Sequence, residues 1–201
     1  SELAQLLAGA LTPTGGSITH GGGRRRLRSR TDHTRHGVAF LPADRKRQGL
    51  LVEQTVADNI LLSRLSLPGE LVTKFRRNHR RAEATVRRLA IKTRSVDAPI
   101  SVLSGGNQQK AILGRWLEVG STLLVFDEPT SGVDINSKME LYRRLIEVAG
   151  GGAAVVFVSS YYEEISALAD RVLLMRDGQV IGEVSGEEAD GDRLVRMEIG
   201  A

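Results

Sequence analysis

The sequence predicts an α/β domain built on a mainly parallel sheet. Two apolar runs, "STLLVFD" at 121–127 and "AAVVFVSS" at 153–160, read as strands buried on both faces, the pattern of parallel sheets. Between them "INSKMELYRRLIEVAGGG" at 135–152 has helical spacing and stops at glycines. With 201 residues, 41% hydrophobic and 26% charged, the chain supports one domain with a real core.

The remaining elements follow in chain order. "SELAQLLAGAL" carries Leu3, Leu6, Leu7, Ala10 and Leu11 at helical spacing, and Pro13, Gly15 and Gly16 end that helix. "GVAFLP" at 37–42 is a short buried strand. The loop "ADRKRQGLLVEQT" leads to a helix capped at Thr55 or Asp58 and running through Ile60, Leu61 and Leu65. A second helix spans 76–92, with Ala82, Val86 and Leu89 on its apolar face and arginines elsewhere. In "LSGGNQQKAILGRWL", 103–117, a helix begins near Asn107, with Trp116 and Leu117 as core. "EEISALADR" is a short helix, and "RVLLMRDGQVIGEVS" is a hairpin turning at Asp177-Gly178.

Composition narrows the function. The chain has no Cys, no run long enough to cross a bilayer and no basic-then-apolar opening, which fits a reducing cytoplasmic location. Net charge is +4, yet residues 1–100 carry +11 and residues 101–201 carry −7. Two clusters make the basic half, "RRRLRSR" at 24–30 and "KFRRNHRRAEATVRRLAIK" at 74–92. Such clusters grip nucleic acid or anionic lipid, or form a solvated face; aromatics at 4% argue against base stacking. His20, His33, His36 and His79 lack the paired spacing of a metal site and are expected on the surface. Tyr161 and Tyr162 either stack on a ligand or pack.

The chemistry concentrates at two places. In "LSGG", two glycines without Cβ let a ligand lie against the backbone, while Ser104 supplies a hydroxyl and an N-cap. The helix behind them points free N–H groups and its positive dipole end outward, which suits a phosphate. A serine-capped tight bend is the plainer alternative. Some twenty residues on, Asp127 and Glu128 close a buried strand, where α/β sheets bind ligands. Helix capping and turn formation are the alternative there, since Pro129 and Thr130 follow.

Together "LSGGNQQK", "LLVFDEPTSGVD", "VVFVSS" and "RVLLMRDGQVIGE" resemble the nucleotide-binding domain of ATP-binding cassette (ABC) transporters, and the likeness covers nearly the whole chain. The Asn-Gln-Gln-Lys form, with "GVAFLPADRKRQGL" before it, is similar to the second cassette of tandem-cassette ATPases that drive bacterial sugar importers. The resemblance implies a RecA-like P-loop NTPase core over 1–55 and 116–201, a helical subdomain over 56–115 and a remnant antiparallel β subdomain. It implies ATP and Mg²⁺ as ligands. Asp127 matches the Walker B metal residue and Glu128 the acid that orients or deprotonates water. Ser104, Gly105 and Gly106, followed by Asn107 and Gln108, match the signature that closes over ATP held by another cassette, and Ser131 to Asp134 match the D-loop. The implied partners are that second cassette, membrane permease subunits and, indirectly, a periplasmic or extracellular binding protein, with no nucleic acid. The implied location is the inner face of the cell membrane, peripherally bound.

Three departures qualify the likeness. "SELAQLL" resembles the residues just after the basic position of a P-loop, so the chain reads as a fragment inactive alone, with Ser1 as the P-loop hydroxyl for nucleotide and Mg²⁺. Ser160 stands where such ATPases usually carry a His toward the γ-phosphate, a serine shared by second cassettes of the sugar-importer type. Ala43 stands where this group usually has Glu. Two rival functions remain, a non-transport ABC ATPase acting on nucleic acid and a catalytically silent cassette acting through interactions.

Overall fold

The structure is a computed structural model that describes residues 1–20, 29–66 and 75–200. Residues 24–28 of the first basic cluster and Lys74 of the second lie outside the described residues. Two compact units, Ser1–Val158 and Ser159–Ala201, divide the chain.

In the first unit β1 (Val38–Leu41), β2 (Leu123–Asp127) and β3 (Ala154–Val158) form a parallel sheet in that order. β1 and β2 are buried on both faces, as their unbroken apolar runs require. β3 is equally apolar yet only partly covered, because it lies at the margin of the described strands. On one face α1 (Glu2–Leu7) sets Ala4 and Ala8 against Val38, Phe40 and Val125. Alanines bring that helix close to the sheet, so the buried stripe is not the expected leucine one, and Leu3 and Leu11 stay exposed.

α1 also ends sooner than its apolar spacing suggests. Gly9 takes φ +69°, and a Cβ there would overlap the His33 ring. His33 sits on α2 (Arg30–Arg35), a turn the sequence reading did not foresee. It is only 2% exposed, and its Nδ1 donates to Leu7 O at 2.8 Å. The expectation of a surface histidine is therefore wrong for His33, which satisfies a carbonyl left open at the end of α1.

The loop after β1 contains a π-helical turn, Arg45–Gly49, with Asp44 accepting from Arg47 N. α3 (Val56–Leu61) starts with a full capping box between Thr55 and Asp58, then tightens into a 3-10 turn, Leu62–Ser66. α4 (Phe75–Arg88) buries Ala82 and Thr85 and stops short of residue 92, where Ala90 adopts φ +47°. After another 3-10 turn come α5 (Gly105–Leu117) and, beyond β2, α6 (Ile135–Gly150). Trp116 is core as expected, and its Nε1 donates to Phe40 O at 3.0 Å. Among the described residues no helix is long and apolar enough to cross a membrane.

The second unit contains α7 (Tyr162–Leu168), the antiparallel hairpin β4 (Arg171–Arg176) and β5 (Gln179–Ser185), and α8 (Gly191–Ile199). Asp177 and Gly178 both have positive φ, 51° and 77°, the twist a two-residue hairpin turn needs. Val172, Leu174, Val184, Ala189 and Leu194 make its core, with Tyr162 packed against them, while Tyr161 is exposed. The sequence reading missed α8, although Asp190 caps its start and Gly200 at φ +79° its end.

Candidate functional site

β2 delivers Asp127 to its C-terminal end, opposite Val158 of β3. Its carboxylate is 3% exposed, and Oδ1 accepts from Ser1 Oγ at 2.8 Å. Ser1 is the N-cap of α1, so packing of α1 on the sheet is what sets this pair side by side. Glu128 follows with φ +47° while its N–H still bonds Val158 O at 2.9 Å. A non-glycine residue held there stores roughly 1 kcal/mol or more of strain, and the chain turns away from the strand line at the acid. A buried carboxylate beside a hydroxyl fits Mg²⁺, which takes one or two protein oxygens and fills its octahedron with water and phosphate. Among the described residues no group of three or more His, Cys, Asp or Glu could hold a metal alone.

At the other place Ser104 is the exposed N-cap of α5, which starts at Gly105, two residues before the expected Asn107. The Ser104 hydroxyl does not cap the backbone; it accepts from Asn107 Nδ2 at 2.8 Å. Asn107 Oδ1 in turn accepts from Lys92 N at 2.8 Å. The first turn of α5 therefore receives no side-chain cap hydrogen bond among the described residues. Both glycines pack closely against neighbouring side chains. A Cβ on Gly105 would lie 2.5 Å from Arg45 Nη2, and one on Gly106 would overlap Ser137. Gln108, the next residue of the signature, is buried, and its Nε2 donates to Ile100 O at 3.3 Å.

The turn after Glu128 is held from several sides. Gln109 of α5 donates to Pro129 O. Arg45 of the π-helical turn donates from Nη1 to Ser131 O at 2.9 Å and from Nη2 to Gly132 O at 3.5 Å. Burial draws the Arg45 pKa below its ordinary value, with Asp44 opposing. Asp134 caps α6 by accepting from Ser137, a bond that holds its carboxyl below the usual range. Ser160 is exposed and belongs to the second unit.

Three cationic residues escaped the sequence reading. Lys110 is buried in α5 and bonds Glu140 of α6 at 2.7 Å and Ala90 O at 3.1 Å. Arg115 is buried among carbonyls, bonding Asn59 O at 2.7 Å, Gly49 O at 2.7 Å and Asn59 Oδ1 at 3.1 Å; burial lowers its pKa to about 10. Arg45 is the third. One signal was readable, since Lys110 and Arg115 fall on turns of α5 otherwise destined for the core.

Comparison with known proteins fixes the class. The family described as ABC transporter matches residues 1–131. The chain belongs to this family. It is 39% identical to an arabinose import ATP-binding protein, AraG 2, of Burkholderia cenocepacia, over 99% of this chain and 39% of that protein. An AraG of Ralstonia nicotianae is 43% identical, over 99% of this chain and 40% of that one. The chain thus spans about two fifths of the length of these relatives. Among solved structures, a nucleotide-free ATP-binding cassette from an ABC transporter superposes with TM-score 0.82 at 20% identity, covering 100% of this chain and 83% of the other. A dimeric cassette in a post-hydrolysis state with ADP and Pi gives TM-score 0.78 at 19% identity, over 92% and 80%. These likenesses show the RecA-like cassette fold.

Proposed function

We propose that this chain is an ATP-binding cassette of a sugar importer, coupling ATP binding and hydrolysis to uptake through a membrane permease. The observation that carries the reading is the Ser1–Asp127 pair at the end of β2 with Glu128 next to it, in a chain whose relatives of about 40% identity are named for arabinose import. In this reading Ser1 and Asp127 hold Mg²⁺, which would neutralise phosphate charge when bound. Glu128 orients or deprotonates the attacking water. Ser104, Gly105 and Gly106 present the N-terminal end of α5 to the γ-phosphate of ATP on a second cassette, with Asn107 bracing the Ser104 hydroxyl.

The same reading makes this chain the C-terminal of two cassettes in one polypeptide, peripheral on the cytoplasmic membrane face, with residues 56–115 as its helical subdomain. The span of about two fifths of each relative supports the tandem arrangement, and the dimeric fold neighbour supports pairing of cassettes. The cap that Asp134 makes on α6 supports a role for it in the D-loop turn, and Ser160 is assigned to nucleotide on the sequence likeness alone. The basic helix α4 faces the permease. Crosslinks from α4 in an assembled transporter reach a permease loop under this assignment; crosslinks to nucleic acid alone would reverse it.

The test is reconstitution of the full-length protein with its permease and measurement of ATP turnover with pentoses and hexoses. Sugar-stimulated turnover lost in Ser104→Arg, with Mg²⁺-dependent ATP binding weakened in Asp127→Asn, supports the reading. Turnover indifferent to Ser104→Arg together with Mg²⁺-dependent ATP binding indifferent to Asp127→Asn refutes it.

A further inference from the structure

The guanidinium of Arg45 occupies a crossing point that neither acid nor signature accounts for. Its Nη1 and Nη2 reach the carbonyls of Ser131 and Gly132, while Nη2 also fills the space left by the absent Cβ of Gly105. Its Nε is buried without a hydrogen-bond partner. Two of its attachments are to backbone in the turn that starts at Glu128, where Ser131 N bonds Glu128 O at 3.1 Å. Gln109, one helical turn into α5, binds the same segment at Pro129 O. Gln109 thus ties α5 to this segment at position 129, while Arg45 ties the π-helical turn to it at 131 and 132 and packs against Gly105 of α5.

We infer that Arg45 is a positioning residue, one that fixes the Ser104–Gly106 end of α5 against the turn Glu128–Gly132 and so links, within one chain, the surface given to a partner's nucleotide with the acid of its own. The inference rests on the proposed cassette function. It accounts for the room that Gly105 leaves, since a Cβ there would lie 2.5 Å from Nη2 and press on the guanidinium tip, and a planar fork aimed at two neighbouring carbonyls has no substitute in Lys. It also explains why a cation is placed beside main-chain oxygens rather than a carboxylate: orientation of the turn, more than charge pairing, is what the contact supplies. Arg45 is only partly buried, so its removal leaves the core intact.

The experiment compares steady-state ATP turnover of the reconstituted full-length protein with those of Arg45→Gln, Arg45→Lys and Arg45→Ala. Misplacement of a phosphate-binding end by about 1 Å costs up to roughly a hundredfold in rate. Arg45→Gln should therefore lower kcat about tenfold or more, with KM for ATP within about twofold and an unchanged melting temperature. Arg45→Lys should recover little, and millimolar guanidinium ion should restore part of the Arg45→Ala loss. A kcat within about twofold of wild type, or a loss that tracks the loss of folded protein, would overturn the inference. The same assay separates the two readings: if wild-type turnover is insensitive to Ser104→Arg, the cassette function fails; if it is sensitive but indifferent to Arg45, only the linking role fails.

Discussion

Single residues decide how the loop after β1 is held. Arg115 reaches Gly49 on one side and Asn59 on the other, while Asn59 bonds Leu51 N, Leu51 O and Thr55 O. Replacing the cation leaves several buried carbonyls unsatisfied, each costing about 1–3 kcal/mol. Arg115→Met should accordingly destabilise the fold by about 3 kcal/mol in chemical denaturation; a change under about 1 kcal/mol would show that the network is not load-carrying. Gly9→Ala is expected to cost about 1–2 kcal/mol in the same assay, from its positive φ and the encounter with His33. Gly9 was not legible in the sequence, and Arg115 only as a cation on an otherwise core-directed turn of α5. A histidine between polar neighbours reads as surface, and only the fold shows that Leu7 O needs it.

Elements were more legible than the side chains between them. β1, β2, α5, α6 and the hairpin follow from apolar runs and from Asp177-Gly178, because period and turn chemistry are local properties. α2 and α8 were missed because each is short and its buried content is small, His33 in one and Leu194 in the other. At the candidate site, Asp127, Glu128 and Ser104–Gly106 were legible from motif spacing. Arg45 and Gln109 were not, since their partners lie 86 and 20 residues away in sequence.

One tie between α4 and the chain after it is pH-sensitive through a histidine. His79 on α4 bonds Asp97 at 3.0 Å and lies 3.4 Å from Glu83. The Asp97 hydrogen bond raises the His79 pKa above 6.5, and the same bond lowers that of Asp97 below 3.8. The His79 contribution is fully present below pH 6.5 and fades as pH rises through the raised value; the Asp97 contribution is present above 3.8 and fades as pH falls through the lowered one. The tie is therefore strongest between those limits. Melting temperatures of wild type and His79→Gln should differ most between about pH 4 and 6.5 and draw together as pH rises above 6.5. A constant difference across that range would contradict the assignment.

For the molecule as a whole, the proposed function implies two unequal working surfaces. The end of α5 carries an exposed Ser104 and two glycines packed beside Arg45 and Ser137. By the sequence likeness alone, Ser160 stands where ABC ATPases outside the second-cassette group usually carry a histidine. A lost charge-assisted contact in a transition state costs roughly a hundredfold or more in rate. The site completed by this chain's Ser104 should then dominate turnover, and the one built on its own Glu128 should run slowly.

Steady-state ATP hydrolysis by the full-length protein tests this most directly. Ser104 is exposed, so Ser104→Arg leaves packing intact while blocking close approach of phosphate to the first turn of α5. The account predicts that Ser104→Arg removes most turnover and that Glu128→Gln leaves a large part, with ATP binding and folding preserved in both. Equal damage from the two substitutions, or full activity in Ser104→Arg, would contradict it.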